Sequence, residues 1–204
     1  MGNALFARVR LIMYKLDNRI YKKCNNSFII TGGARNGTTI LGKIFHSFEN
    51  VEYIFEPPLL FSLFALIDSL NQENWKLLYE TYLYEDFLMN ALAGRNLNCN
   101  NLDDSSIYNV KSKSDIKKRQ SISLRKIDAE QLAENSVIVW KIPDIVPLIP
   151  KFLEYYPKTK VIVIIRESTE VINSLIKKKW FSNEILINNN LIWPNRYLNG
   201  MRIP

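Results

Sequence analysis

The residues that could do chemistry gather first in ITGGARNGTTILGKIF, Ile30 to Phe45. Gly32 and Gly37 have the G-x-x-x-x-G spacing of a phosphate-holding turn, and Thr39 stands where such a turn keeps a hydroxyl. A strand that passes through glycines into a helix aims backbone N–H groups and the positive end of the helix dipole at an anion. Gly33, Ala34, Arg35, Asn36, Gly37, Thr38 and Thr39 form the candidate anion loop. Within it Arg35 is a forked cation suited to phosphate or sulfate oxygens. Thr38 occupies the place of the lysine that triphosphate loops aim at the outer phosphates. VIVWK ends in Lys141, and KVIVII is followed by Arg166. Positive charge thus falls where magnesium would need a carboxylate, so a triphosphate is disfavoured and no metal is expected.

The second loaded stretch is KVIVIIRESTEVINSL, Lys160 to Leu175. It delivers Arg166 at a strand exit and Ser174 two turns into the next helix, a pair able to hold a separate phosphate. The plainer alternative pairs Arg166 with Glu167 or Glu170 and leaves Ser174 an ordinary helix serine. Glu56 follows VEYIF and precedes Pro57 and Pro58, which makes it a candidate general base at a third strand exit. Its alternative role is to orient Arg35 or cap a helix. Lys141 either contacts a donor or acceptor or snorkels to solvent. His46 reads as a packing histidine, and Lys177 to Lys179 as a solvated helix end. The stripe of Trp75, Tyr79, Tyr82 and Phe87 reads as core rather than a sugar platform.

Those residues need a scaffold of alternating strands and helices. β-Branched and aromatic runs predict strands at Ser27–Thr31, Val51–Phe55, Val137–Lys141 and Lys160–Ile165. Helices are expected over Gly37–Ser47, Asp128–Asn135, Pro147–Tyr156 and Ser168–Trp180, with two more between Leu59 and Leu92 broken near Asn71–Asn74. In the first, Ile40, Leu41, Ile44 and Phe45 share a face; in the last, Val171, Ile172, Leu175 and Ile176 point inward. The alternation predicts an α/β three-layer sandwich around a central parallel sheet, with ligands at the carboxyl ends of the strands.

At 204 residues and 47% hydrophobic, the chain is long enough for one domain with a sizeable core. Residues 1–26 read as a basic amphipathic lead-in and 27–204 as the domain, interrupted by a polar, partly disordered surface excursion at 94–125. The net charge of +7 suits anionic ligands, but no aromatics interleave the basic segment at Lys111–Lys126, which argues against nucleic acid. One histidine and two cysteines, Cys24 and Cys99, at no ligand spacing argue against a metal centre and for incidental thiols in a reducing compartment. Arg8, Arg10 and Lys15 interrupt any signal-like or membrane-spanning run, and Phe6 breaks a myristoylation signal, so the expected location is cytoplasmic.

RNGTT after a strand, FEPP downstream, and VIVIIRES…NSL in that order resemble the sulfotransferases that use 3′-phosphoadenosine-5′-phosphosulfate (PAPS). VEYIFEPP is similar in particular to the carbohydrate branch. The resemblance runs from about Ser27 to Trp180, in the middle by pattern only. It implies a P-loop NTPase-like fold of the sulfotransferase kind and PAPS as co-substrate without a metal. It implies Arg35, Asn36, Gly37, Thr38 and Thr39, with Gly33 and Ala34, at the 5′-phosphosulfate, and Arg166 and Ser174 at the 3′-phosphate. Glu56 and Arg35 become the catalytic pair, acting on a hydroxyl acceptor, expected to be carbohydrate. Asn36 replaces the family's loop serine, and Glu167-Ser168 replaces its Asp-Pro. The family usually continues past this helix into a segment over the adenine, whereas this chain stops at NRYLNGMRIP, so a C-terminally short member is expected. The open alternatives are a catalytically weak nucleotide-binding remnant, a kinase with a degenerate loop, and, furthest off, a basic RNA-binding protein.

Overall fold

The apolar β-branched runs become four strands: β1 (Phe28–Gly32), β2 (Val51–Phe55), β3 (Val137–Lys141) and β4 (Lys160–Ile164). The computed structural model describes residues 16–103, 106–121, 126–178, 197–198 and 201–202. Residues 1–15, Lys179, Trp180 and most of the carboxyl-terminal stretch lie outside the described residues, and with them the first part of the lead-in and the expected end of the last helix.

The strands form one all-parallel sheet in the order β2-β3-β1-β4. β3 lies between β1 and β2, so the helix that joins those two must cross over it. That helix is α2 (Thr38–Ser47); α1 (Asn18–Asn25) precedes β1. After β2 come α3 (Pro58–Ala65) and α4 (Gln72–Glu80), which runs on through a π-helical stretch, Thr81–Leu88, into α5 (Met89–Leu92). α6 (Lys113–Ser121) and α7 (Lys126–Asn135) lead to β3; α8 (Ile149–Tyr155) and α9 (Ser168–Lys177) flank β4. A short antiparallel pair, β5 (Tyr197–Leu198) and β6 (Met201–Arg202), lies apart from the main sheet.

Helices cover both faces of the sheet, and the strands alternate between two cores. On one face Ile29, Ile138 and Trp140 join Phe64, Trp75, Tyr79, Phe152 and Tyr156 in the main cluster. On the other, Ile30, Val51 and Val139 pack under Leu41 and Phe45 of α2. Trp75 stacks on Tyr79 with ring centroids 5.1 Å apart, and both are wholly buried. With Phe87 buried and Tyr82 half-buried against the same cluster, the aromatic stripe is core, as its spacing suggested.

Two helix faces differ from expectation. In α2 the buried residues are Thr38 and Gly42, and Ile40 and Ile44 are exposed. The helix sits so close to the sheet that a Cβ on Gly42 would meet the Tyr53 hydroxyl oxygen at 2.2 Å. Small residues at the contact rotate the contacting face away from the two isoleucines. In α9 only Leu175 is buried; Ile172 and Ile176 are exposed because β4 is an edge strand offering little sheet to cover.

The polar excursion has firm anchors. The ammonium of Lys111 donates to the carbonyls of Phe48 (2.5 Å), Val51 (3.1 Å) and Glu49 (3.3 Å), around the end of α2. Arg119 of α6 forks onto both carboxylate oxygens of Glu52, at 2.8 and 2.9 Å. Cys24 is a free thiol wholly buried in the main core, and Cys99 is exposed. Among the described residues no helix is long and apolar enough to cross a membrane.

Candidate functional site

Parallel strands share one carboxyl edge, so the loop after β1, Glu56 after β2, Lys141 ending β3 and Arg166 after β4 all leave the sheet on the same side. The register places Lys141 beside both Ile30 and Phe55, and Ile164 beside Gly32. This much follows from the strands themselves.

The loop is fastened from several directions. Gly32 has φ +145°, and a Cβ there would lie 2.4 Å from the Ile164 carbonyl oxygen, so only glycine lets β1 run this close to β4. The Asn36 side-chain amide donates to that same carbonyl at 3.0 Å. The Asp144 N–H donates to the Gly32 carbonyl at 3.2 Å. Gly37, at φ +93°, caps α2 without a side chain to bond the first helical N–H groups. Gly33 and Arg35 are exposed, Ala34, Asn36, Gly37 and Thr39 half-buried, and Thr38 buried at the helix start. A rigid turn in front of an open helix N-terminus is suited to an anion.

Arg35 joins the two loaded stretches. Its Nε donates to Oγ of Ser174 at 2.9 Å, across a sequence separation of 139 residues. Ser174 is therefore not an ordinary helix serine. Arg166 does make the pairing of the plainer alternative: its Nε donates to Oε2 of Glu170 at 2.5 Å. Glu167 caps α9, its carboxylate accepting from the Thr169 hydroxyl and from the Glu170 N–H at 3.0 Å. The Thr169 hydroxyl, helped by the amides of the helix start, holds that carboxyl below its usual range.

Glu56 turns the chain at φ +43°, its N–H donating to the Lys141 carbonyl at 2.9 Å. Its carboxylate is paired with the Lys141 ammonium, whose side chain is only 5% exposed. The same ammonium lies 4.6 Å from the centroid of the Phe55 ring. Lys141 therefore neither snorkels to solvent nor stands ready alone; it holds Glu56 in place. The three non-glycine residues with positive φ among the described residues are Arg35, Glu56 and Asp144. One follows each of β1, β2 and β3, so the strained backbone gathers at this edge, as it does at functional sites.

Sequence reasoning missed Asp144 and Tyr53 as contributors, and offered Glu170 only as one of two partners for Arg166. Asp144 carried no signal beyond following Pro143, because its strain and its bond to Gly32 arise from the packing of two loops. The Tyr53 hydroxyl is buried under Gly42 with no hydrogen-bond partner among the described residues. Burial first, and Glu56 second, push its ionisation above the ordinary range. His46 lies on the far turn of α2, its ring 5.7 Å from that of Tyr53. Burial, with Lys111 and Arg119 adding, pulls its pKa down to about 4. It packs, and it faces away from the carboxyl edge.

Among the described residues no group of three or more His, Cys, Asp or Glu side chains is placed to hold a metal. A pocket of about 400 Å³ opens at the opposite, amino edge, lined by Arg19, Lys22, Tyr84, Glu130 and Glu134 among others. Its lining mixes both charges and shares no residue with the loop. No protein-family model and no curated protein matches the chain.

Proposed function

We propose that this chain is a PAPS-dependent sulfotransferase of P-loop-like architecture, acting on a hydroxyl of a carbohydrate acceptor. The observation that carries the reading is the Arg35–Ser174 bond, which ties the glycine loop to the helix that follows the arginine-bearing exit of β4, both at one edge of a parallel sheet. Two cationic anchors at that edge suit a nucleotide with separate 5′ and 3′ anionic groups. The exposed and half-buried loop from Gly33 to Thr39 would hold the 5′ end, and Arg166 with Ser174 the 3′-phosphate.

The donor supplies the sulfuryl group: the acceptor oxygen bonds to sulfur, the bond from sulfur to the 5′-phosphate oxygen breaks, and the acceptor proton leaves to a base. Glu56 is that base, at the exit of β2, with its carboxylate oriented by Lys141. Arg35 and the open N-terminus of α2 stabilise the charge that develops on the departing phosphate. A second reading, a nucleotide-binding relative without turnover, is favoured by one specific observation: Glu56 is already ion-paired.

Calorimetric titration with 3′-phosphoadenosine-5′-phosphate, beside adenosine 5′-phosphate and ATP with magnesium, tests the donor site. Preference for the bisphosphate, lost in Arg166→Ala, is the expected result; tighter binding of ATP with magnesium overturns it. Transfer of labelled sulfate from PAPS to oligosaccharides then separates the two readings. In the first, Glu56→Gln keeps donor binding and loses roughly 10²- to 10⁴-fold in transfer; in the second, the wild-type chain binds and never transfers.

A further inference from the structure

The carboxyl edge carries an anion of its own in the place where a second phosphate would bind. Arg166 leaves β4 beside the glycine loop, and its Nε donates to Glu170 Oε2 at 2.5 Å, in the first turn of α9. Glu167 does not compete for it, because its carboxylate is committed to the helix start and to Thr169. Arg35 is likewise turned toward α9, onto Ser174 on the following turn. We infer that Glu170 is an intramolecular counter-anion that competes with a ligand's phosphate for Arg166, and so sets how strongly the protein prefers nucleotides phosphorylated at the 3′ position. This inference rests on the proposed donor site.

The physical grounds are those of an exposed ion pair. The two side chains are 44% and 57% exposed, so their bond is one that water and salt can loosen. A phosphate dianion offers Arg166 more charge and a bidentate partner, and it can displace a single carboxylate. The displaced Glu170 stays on the same helix turn, and its negative charge then opposes the phosphate that replaced it. Glu170 therefore weakens binding twice, as a competitor and as a like-charged neighbour. Removing its charge while keeping its shape relieves both effects.

The experiment compares wild type, Glu170→Gln, Arg166→Ala and the double variant. Each is titrated at low and high salt with 3′-phosphoadenosine-5′-phosphate and with adenosine 5′-phosphate. Glu170→Gln is expected to bind the bisphosphate roughly three- to tenfold more tightly, with the gain shrinking at high salt. It leaves adenosine 5′-phosphate unchanged and gives no gain on the Arg166→Ala background. If wild type prefers the bisphosphate and Glu170→Gln gains nothing or loses affinity, the inference falls while the donor site stands. An equal gain for both nucleotides also sinks it, since the effect would then be general charge rather than competition at Arg166. If neither wild type nor Glu170→Gln distinguishes the two nucleotides, the donor site itself fails and the inference falls with it. Preference appearing only in Glu170→Gln supports both.

Discussion

β2 carries a glutamate near each end, and the two are held in opposite ways. Glu52, at the amino end, is 3% exposed and gripped by both forks of Arg119. Glu56, just past the carboxyl end, sits on strained backbone and is paired with the ammonium of Lys141. The first pair clasps the polar excursion to the sheet: its desolvation is offset only because the geometry is bidentate. The second trades some of that security for a carboxylate at an edge where other groups converge. Arg166–Glu170 extends the series, an exposed pair that a ligand can replace. What differs along this sheet is not the type of interaction but how much water surrounds it.

Breaking the clasp gives the largest expected effect. Arg119→Ala leaves Glu52 buried and unpaired, and chemical denaturation should show a loss of about 3–5 kcal/mol. Replacing both partners, Arg119→Met with Glu52→Leu, should restore most of it; a double variant as unstable as the single one would mean that the pairing itself, and not a stranded charge, carries the loss.

Next comes the histidine beneath the clasp. His46 has its pKa lowered to about 4 in the folded protein against 6.5 unfolded, so the unfolded chain binds more protons between these values. Its contribution is fully present above about pH 6.5 and falls away as the pH drops through 4, by about 3 kcal/mol in all. Stability of wild type and His46→Asn measured from pH 7 to 4 should converge by that amount; parallel curves would place the ring in water instead.

Smaller again is Gly42→Ala, midway along α2, where the added methyl meets the Tyr53 ring. A loss of about 1–3 kcal/mol is expected in chemical denaturation, little of it recovered by Tyr53→Phe, because two ring carbons would still lie 2.3 and 2.6 Å from the methyl. At the carboxyl end Glu56→Gln should cost the least, about 1–2 kcal/mol, since the amide oxygen still accepts from Lys141 although that buried ammonium loses its counter-charge. If thermal unfolding showed Glu56→Gln to be as damaging as Arg119→Ala, the contrast between the two ends would collapse, and Glu56 would be a structural residue.

Much of the scaffold was legible in the sequence. Val51–Phe55 and Val137–Lys141 form strands over the predicted residues; the first strand is shifted by one residue at both ends, and the fourth is one residue shorter than expected. A run of β-branched side chains is a local signal, and a parallel sheet follows from alternating such runs with helices. The candidate loop, Glu56 and Arg166 were legible for the same reason: each adjoins a strand end, and parallel strands send their ends to one edge. Partners were not legible. KSDIKKRQS holds several cations, and nothing in it marks Arg119 as the one that reaches Glu52, 67 residues away. Nor does IIRESTE say which glutamate Arg166 takes, because both lie within reach on the chain; the cap on α9 claims Glu167 and leaves Glu170.

By itself the sequence determined the elements, their order and which residues stand at strand ends, because those depend on local spacing and backbone preference. Only the tertiary structure decided which faces of α2 and α9 stay exposed, which charges pair, and which residues bear strain. Those depend on how closely a helix can approach a sheet and on which groups lose their water, and no local pattern carries either quantity.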